Sequence, residues 1–339
     1  MIKVGLMGFG RIGRDFVRSY FLRKRKEDLG FKLVNINAST APEVMAKLLK
    51  RDSIYRLFDG EISYGQDYLE VDGEKVYITA ERDPKKAPWK DLGLDIIVDS
   101  TGAFKEREKA NWHLQSGAKK VILTSPGKDE DITIVMGVND CLYDKDKHNI
   151  ISNASCTTNC LAPIAKVILD KFGIEKAFMT TIHAYTGDQN ILDNRHKKGD
   201  MRRARAGAEN IVPTSTGAAK AVGLVIPELK GKFHGISMRV PIPVGSLVDA
   251  TFILPKEVTK DEVNQAVKEA AEGPMKGILE YSEEELVSSD IIGNPHASIF
   301  DSLLTTVDKN VIKLVSWYDN EWGYTQRVVD LTSKIAKEI

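Results

Sequence analysis

A doubly wound, mostly parallel α/β domain followed by an α+β domain with a mostly antiparallel sheet is the architecture this 339-residue chain predicts. Three observations carry that prediction. Short apolar runs alternate with helical patterns through the first half, as βαβ units require. A glycine-rich turn joins the first of those runs to the first helix. Beyond residue 160, longer stretches with period-2 alternation take over, as antiparallel strands with one solvated face demand.

Ile2–Met7 reads as a buried strand, Gly8-Phe9-Gly10-Arg11-Ile12-Gly13 as a turn, and residues 14–26 as a helix. Strand, G-x-G-x-x-G and helix in that order form the context of a Rossmann dinucleotide fingerprint. Gly8 allows the tight turn, Gly10 lets backbone approach a pyrophosphate, and Gly13 lets helix and strand pack closely. Phe31–Asn37 is a second strand, residues 42–49 a helix, and residues 94–99 a strand running into Ser100-Thr101-Gly102. Residues 105–115 are helical, and residues 120–124 form a strand running into Ser125-Pro126-Gly127. Ligands of such sheets gather at the C-terminal strand ends, which Ala38, Thr101 and Ser125 follow.

In the second half, residues 176–185, 232–240, 246–254, 297–306 and 311–317 read as strands. Between them, Thr259-Lys260-Asp261-Glu262 is a capping box, Val263, Ala266, Val267 and Ala270 form an apolar stripe, and Gly273 stops the helix. The expected division is residues 1–154 and 155–319, with a last helix over about 324–337 within 320–339 packing back on the first domain.

Lys plus Arg and Asp plus Glu balance at 48 each, so no net field draws nucleic acid or an anionic membrane. The run Arg23-Lys24-Arg25-Lys26 ends a helix, where cations complement the dipole. Three cysteines without framework spacing fit a reducing compartment. Cys156 and Cys160 have no Cys/His cluster around them, so no metal is expected. A strand beginning at residue 2 and the lack of a transmembrane-length apolar run suggest a cytoplasmic protein.

Ser152-Asn153-Ala154-Ser155-Cys156-Thr157-Thr158-Asn159-Cys160 sits where a β-type stretch gives way to a helix. Leu161, Ile164, Ala165, Ile168 and Leu169 then mark one helical face. Cys156 therefore falls at a helix N-terminus, where free N–H groups and the macrodipole favour a thiolate. Ser155, Thr157 and Thr158 offer hydroxyls to cap the helix or hold an anion. An inert cysteine beside capping residues is the plain alternative, and the rest of the chain decides between them.

Gly8–Gly13, Ser152–Cys160, Thr180-Thr181-Ile182-His183-Ala184-Tyr185-Thr186, Arg202-Arg203-Ala204-Arg205, the run from Pro213 to Lys220 and that from Trp317 to Tyr324 occur in order. Together they resemble phosphorylating glyceraldehyde-3-phosphate dehydrogenase, over essentially the whole chain. The resemblance implies a homotetramer that oxidises glyceraldehyde 3-phosphate with inorganic phosphate, in glycolysis and gluconeogenesis. It implies Cys156 as nucleophile and His183 as base. It places Thr186, Asp188 and Arg239 on the substrate phosphate, and Ser155, Thr157, Thr216 and Gly217 on the attacking phosphate. Arg239 suits that task, since its planar fork stays charged and bonds phosphate oxygens. Gly8, Gly10, Arg11, Ile12, Gly13, Asn37, Thr101, Gly102, Ser125, Asn320 and Tyr324 would face the cofactor. The long polar loop between Asp188 and Val212 would lie at the tetramer core.

Three departures stand out. Where relatives that use NAD read Asn-Asp, this chain reads Asn37-Ala38-Ser39-Thr40, so the carboxylate that repels a ribose 2′-phosphate is missing. Where they often read Leu-Pro, it reads Asn194-Arg195; Arg195 and Arg82 then offer positive charge. NADP is accordingly the expected cofactor, with NAD as a lesser one. Ile242-Pro243-Val244-Gly245 also differs from the usual phosphate-side loop. Erythrose-4-phosphate dehydrogenase shares this architecture. Aspartate-semialdehyde dehydrogenase lacks a reason for the Thr186, Asp188 and Arg239 set, and a non-catalytic nucleotide-binding scaffold has no need of Cys156 and His183.

Overall fold

A computed structural model describes residues 1–339. The chain forms two compact units, one of residues 1–136, 140–154 and 325–339, the other of 137–139 and 155–324.

The first unit is built on strands β1 (Ile2–Met7), β2 (Phe31–Asn37), β3 (Ile62–Tyr64), β4 (Tyr68–Val71), β5 (Glu74–Thr79), β6 (Ile96–Asp99), β7 (Lys120–Leu123), β8 (Ile132–Thr133) and β9 (Ile150–Ser152). Their order is β8-β9-β7-β6-β1-β2-β5-β4-β3. From β8 to β5 every pair is parallel, and β5-β4-β3 is an antiparallel extension. The parallel centre is apolar because both faces are covered: Val4, Leu6, Ile96, Ile97, Val98, Val121 and Ile122 are completely buried. Helix α1 (Arg11–Lys24) lays Phe16 and Tyr20 against Phe31 of β2, and α2 (Pro42–Lys50) and α3 (Arg107–Gln115) complete the unit's main helices. The meander β3-β4-β5 was not expected, because strands of three to six residues with exposed alternate positions carry little periodicity. Helix α1 starts at Arg11, three residues before its apolar face shows in the sequence.

The second unit holds β10 (Lys176–Ala184), β11 (Val212–Ser215), β12 (Phe233–Val240), β13 (Ser246–Ile253), β14 (Leu279–Ser282), β15 (Ser298–Asp308) and β16 (Val311–Tyr318), in the order β11-β12-β10-β13-β16-β15-β14. The sheet is mostly antiparallel, with β10-β12 and β14-β15 parallel. Helices α4 (Cys156–Phe172), α5 (Ala218–Val225) and α6 (Lys260–Glu272) belong to it. The α6 capping box forms as expected, with Thr259 and Glu262 bonding each other's backbone. Helix α5 was missed; its eight residues are too short to declare a period.

The last helix, α7 (Trp322–Glu338), contributes residues from 325 onward to the first unit. There Gln326 accepts from Ser19 Oγ at 2.9 Å, and Asp330 pairs with Arg23 at 2.8 Å. No helix is long and apolar enough to cross a membrane.

Candidate active site

In the first unit, the glycine turn is shaped for a phosphate ligand. Gly8 takes φ +97°, which a side chain rarely tolerates, and a Cβ on Gly13 would stand 2.7 Å from the Gly8 carbonyl oxygen. A Cβ on Gly10, by contrast, would meet nothing within 4 Å, so the N-terminus of α1 opens onto free space. No side chain caps that helix at Gly10, and helix N-termini of this kind bind anions through their first N–H groups. These features fit a dinucleotide pyrophosphate. Arg11, next in line, pairs with Asp52 and lies over the Tyr55 ring, and Ile12 is half-buried beside it.

At the end of β2, Asn37 is buried and its amide is occupied. It donates to the Glu81 carbonyl at 2.6 Å and accepts from Glu81 N at 3.0 Å and Thr79 Oγ1 at 2.9 Å. Asn37 thus clasps the segment bearing Arg82, whose side chain is exposed, to the strand end. Ala38 and Ser39 follow it, with no carboxylate at either position. Thr101 and the unobstructed Gly102 stand at the end of β6; Ser125 follows β7, its carbonyl accepting from Ser152 Oγ.

In the second unit, Ser155 caps α4, accepting from Thr158 N at 3.1 Å, so that Cys156 opens the helix. His183 stands near the end of β10, and Cys156 Sγ lies 3.5 Å from its Nε2. Nδ1 lies 2.7 Å from the Ala184 carbonyl. Arg239 is the register partner of His183 on the parallel strand β12, so both side chains leave the same face. Its Nη1 reaches the Ala184 carbonyl at 3.0 Å and stands 2.7 Å from Nδ1. Burial, then the Arg239 charge, push the His183 pKa down to about 3. Burial also pushes the Cys156 thiol up, against the opposing pull of Arg239 and of Thr157. Both shifts favour a neutral thiol beside a neutral imidazole.

Two residues that sequence reasoning left unassigned take part. Tyr318 Oη bonds Thr157 Oγ1 at 2.9 Å and Thr181 Oγ1 at 2.8 Å, and its ring meets His183 edge-on. It ties the first turn of the cysteine helix to the histidine strand, two residues before His183. The Thr157 hydroxyl is accordingly turned inward. We expect Tyr318→Phe to destabilise the protein by ~1–3 kcal/mol, because two buried hydroxyls lose a partner. It should also lower kcat by roughly tenfold through looser Cys–His geometry. Urea unfolding and steady-state turnover check both, and an unchanged kcat would remove the tether from the mechanism.

The second is Arg203, which pairs with Asp188 at 3.1 Å and Asp200 at 2.9 Å. Asp188 also faces His196 at 3.4 Å, and its N–H points at Thr186 Oγ1. Arg203 stands in a quoted motif, but only the folded loop shows which carboxylate it serves. Thr216 Oγ1 accepts from Ala218 N at 3.2 Å, and a Cβ on Gly217, at the uncapped start of α5, would meet nothing. Asn320 is buried, and its Oδ1 accepts from Gly245 N at 3.2 Å and Ser246 Oγ at 3.0 Å, which leaves its NH2 for a ligand. The divergent loop at Gly245 therefore supports Asn320. Tyr324 is buried, whereas Asn194 and Arg195 are exposed in the long loop.

Comparison with known proteins adds to this geometry. Residues 2–107 match the glyceraldehyde 3-phosphate dehydrogenase NAD binding domain, and residues 155–320 match the glyceraldehyde 3-phosphate dehydrogenase C-terminal domain. Glyceraldehyde-3-phosphate dehydrogenase of Priestia megaterium is 56% identical over 336 residues, covering 99% of this chain and 98% of its own. Glyceraldehyde-3-phosphate dehydrogenase 1 of Bacillus subtilis is 55% identical over 338 residues, covering 99% of both chains. The Geobacillus stearothermophilus protein of that name is 54% identical over 338 residues, again covering 99% of both.

Proposed function

Because the chain belongs to the glyceraldehyde-3-phosphate dehydrogenase family, we propose that its second unit oxidises glyceraldehyde 3-phosphate to 1,3-bisphosphoglycerate. In this reading Cys156 is the nucleophile and His183 moves the proton. The observation that carries it is the 3.5 Å approach of Cys156 Sγ to His183 Nε2 at a helix N-terminus.

An aldehyde is a poor hydride donor, since losing hydride would leave an acylium ion. Thiolate addition avoids that. The Cys156 proton passes to His183 Nε2, sulfur bonds the aldehyde carbon, and the oxygen takes the proton back to give a hemithioacetal. A nicotinamide dinucleotide bound by the first unit supplies the hydride acceptor. As hydride departs, His183 removes the hydroxyl proton and a thioester remains on Cys156. Inorganic phosphate then attacks the thioester carbon, the C–S bond breaks, and the thiolate leaves. Arg239 and Thr186 would hold the substrate phosphate, with Asp188 orienting Arg203 rather than bonding the anion itself. Ser155, Thr216 and Gly217 would hold the attacking one, to which Thr157, its hydroxyl taken by Tyr318, has only backbone to offer. The free NH2 of Asn320 would orient the nicotinamide carboxamide.

For the cofactor we favour NADP over NAD. Ala38 supplies no charge to repel a 2′-phosphate, and the Asn37 clasp holds the segment of exposed Arg82 at the same strand end. Arg195, on the long loop of a neighbouring subunit, would add a second cation. That loop exposes Ile191, Leu192 and Met201, which supports a homotetramer in which a neighbouring subunit covers it.

Steady-state kinetics with glyceraldehyde 3-phosphate and phosphate, run with each cofactor and beside erythrose 4-phosphate, test the reading. NADP should give the higher kcat/KM with glyceraldehyde 3-phosphate. An advantage of tenfold or more for NAD would refute the cofactor assignment, and a preference for erythrose 4-phosphate would refute the substrate. A monomeric mass by light scattering would refute the tetramer.

A further inference from the structure

A second histidine with a built environment lies in the first unit, away from any step described above. His113 on α3 is completely buried, as is Trp89, and Asp99 at the end of β6 is 2% exposed. Trp89 Nε1 lies 3.1 Å from His113 Nδ1. An indole nitrogen can only donate, so Nδ1 must accept, and the ring proton of the neutral imidazole is left on Nε2. Nε2 in turn faces Asp99 Oδ2 at 3.5 Å, an electrostatic approach outside hydrogen-bond geometry, and neither of these two buried atoms has another partner. The ring is also held in orientation, with Trp89 at 26° to its plane and Phe104 edge-on at 88°.

What the chain of three holds is the loop after β6. The other carboxylate oxygen, Asp99 Oδ1, accepts from Thr101 N at 2.8 Å and Thr101 Oγ1 at 2.6 Å, while Thr101 Oγ1 accepts from Ala103 N at 3.1 Å. His113 therefore touches the residue before the loop and, through Phe104, the residue that closes it. Between them, Ser100 Oγ bonds the Met7 carbonyl at 3.0 Å and stands 3.3 Å from the Gly8 carbonyl, fastening the same loop to the glycine turn. A buried carboxylate needs such partners, because an unpaired charge in an apolar interior is strongly disfavoured.

We propose that the buried Trp89–His113–Asp99 chain is the positioning device of the dinucleotide site, locking His113 as its Nε2–H tautomer and so holding Thr101, Gly102 and the glycine turn in the shape that binds cofactor. This rests on the reading that the first unit binds a nicotinamide dinucleotide. His113 touches no ligand; it acts through Asp99.

The test is calorimetric titration of NADP and NAD into the full-length wild type, His113→Leu and His113→Gln, with thermal unfolding run on each. His113→Leu removes both polar contacts, and its dinucleotide Kd should rise about tenfold or more, as expected when a buried charged group loses a partner. His113→Gln offers a carbonyl to Trp89 and an amide N–H to Asp99, so its Kd should return to within about threefold of wild type on the same reasoning. Should His113→Leu fail to fold, Trp89→Phe and nitrogen-15 NMR of the histidine rings decide the matter. Wild type should show His113 protonated on Nε2 alone, and Trp89→Phe should lose that fixed state and bind dinucleotide more weakly. A folded His113→Leu that binds as wild type, or an Nδ1–H tautomer in wild type, would overturn the proposal while leaving the cofactor reading intact. A wild type that binds neither dinucleotide would overturn both.

Discussion

Cys156→Ala should abolish turnover, with a loss of about 10^4-fold or more, as expected when a covalent nucleophile is removed. His183→Asn should cost roughly 10^2–10^4-fold, the usual contribution of a positioned base. Cys160→Ala should leave activity within a few-fold. Its sulfur lies one turn further along α4, completely buried, 3.7 Å from both Ser298 Oγ and the Ser316 carbonyl. Burial pushes that thiol up to about 12, so it holds its proton at neutral pH and resists alkylation. Cys141 is exposed. Iodoacetamide treatment with peptide mapping separates the three. Inactivation should follow carbamidomethylation of Cys156 in time, whatever happens at Cys141. Loss of activity that instead followed Cys160, or full labelling of Cys156 with activity retained, would remove Cys156 from the mechanism.

Cofactor selectivity should respond nearly as strongly. Ala38→Asp restores a carboxylate at the end of β2, where a 2′-phosphate would be repelled, and Arg195→Ala removes one candidate cation. Together a repulsion and a charge-assisted contact are worth roughly 2–4 kcal/mol, given ~1.5–3 for hydrogen bonds to charged groups. The ratio of kcat/KM for NADP to that for NAD should therefore fall by about 30- to 1,000-fold in the double variant, since each 1.4 kcal/mol is tenfold. Arg82→Ala belongs in the same series, because the Asn37 clasp holds its segment against the strand end. A ratio unmoved by all three substitutions would mean that selectivity is set elsewhere.

Much of this molecule was legible before folding. Ile2–Met7 and Phe31–Asn37 were predicted with the bounds they have, because continuous apolar runs flanked by turn residues leave few alternatives. The α6 capping box and the start of α4 at Cys156 follow from local hydrogen bonding within three or four residues. The glycine turn is local only in part: Gly8 takes a positive φ and a Cβ on Gly13 would strike the Gly8 carbonyl, but Ser100 crowds both from a distant strand end. Motif resemblance carried the pairing of Cys156 with His183, which are 27 residues apart.

What only the tertiary structure decided depends on strand register and on long-range closure. That Arg239 flanks His183 follows from the parallel pairing of β10 with β12, which brings together residues 56 apart. That Tyr318 bridges Thr157 and Thr181 follows from helix α4 and strands β10 and β16 meeting, with separations of 161 and 137 residues. No periodicity encodes such contacts. Burial acts on the protonation states too: desolvation pushes the His183 pKa down and the Cys156 thiol up, and the Arg239 charge adds to the first shift and opposes the second. The chain alone determined which chemical groups were present and which local elements they would open or close. Packing determined which groups came within hydrogen-bond reach, because short-range propensity acts over one turn or one strand pair while the site is assembled across the whole sheet.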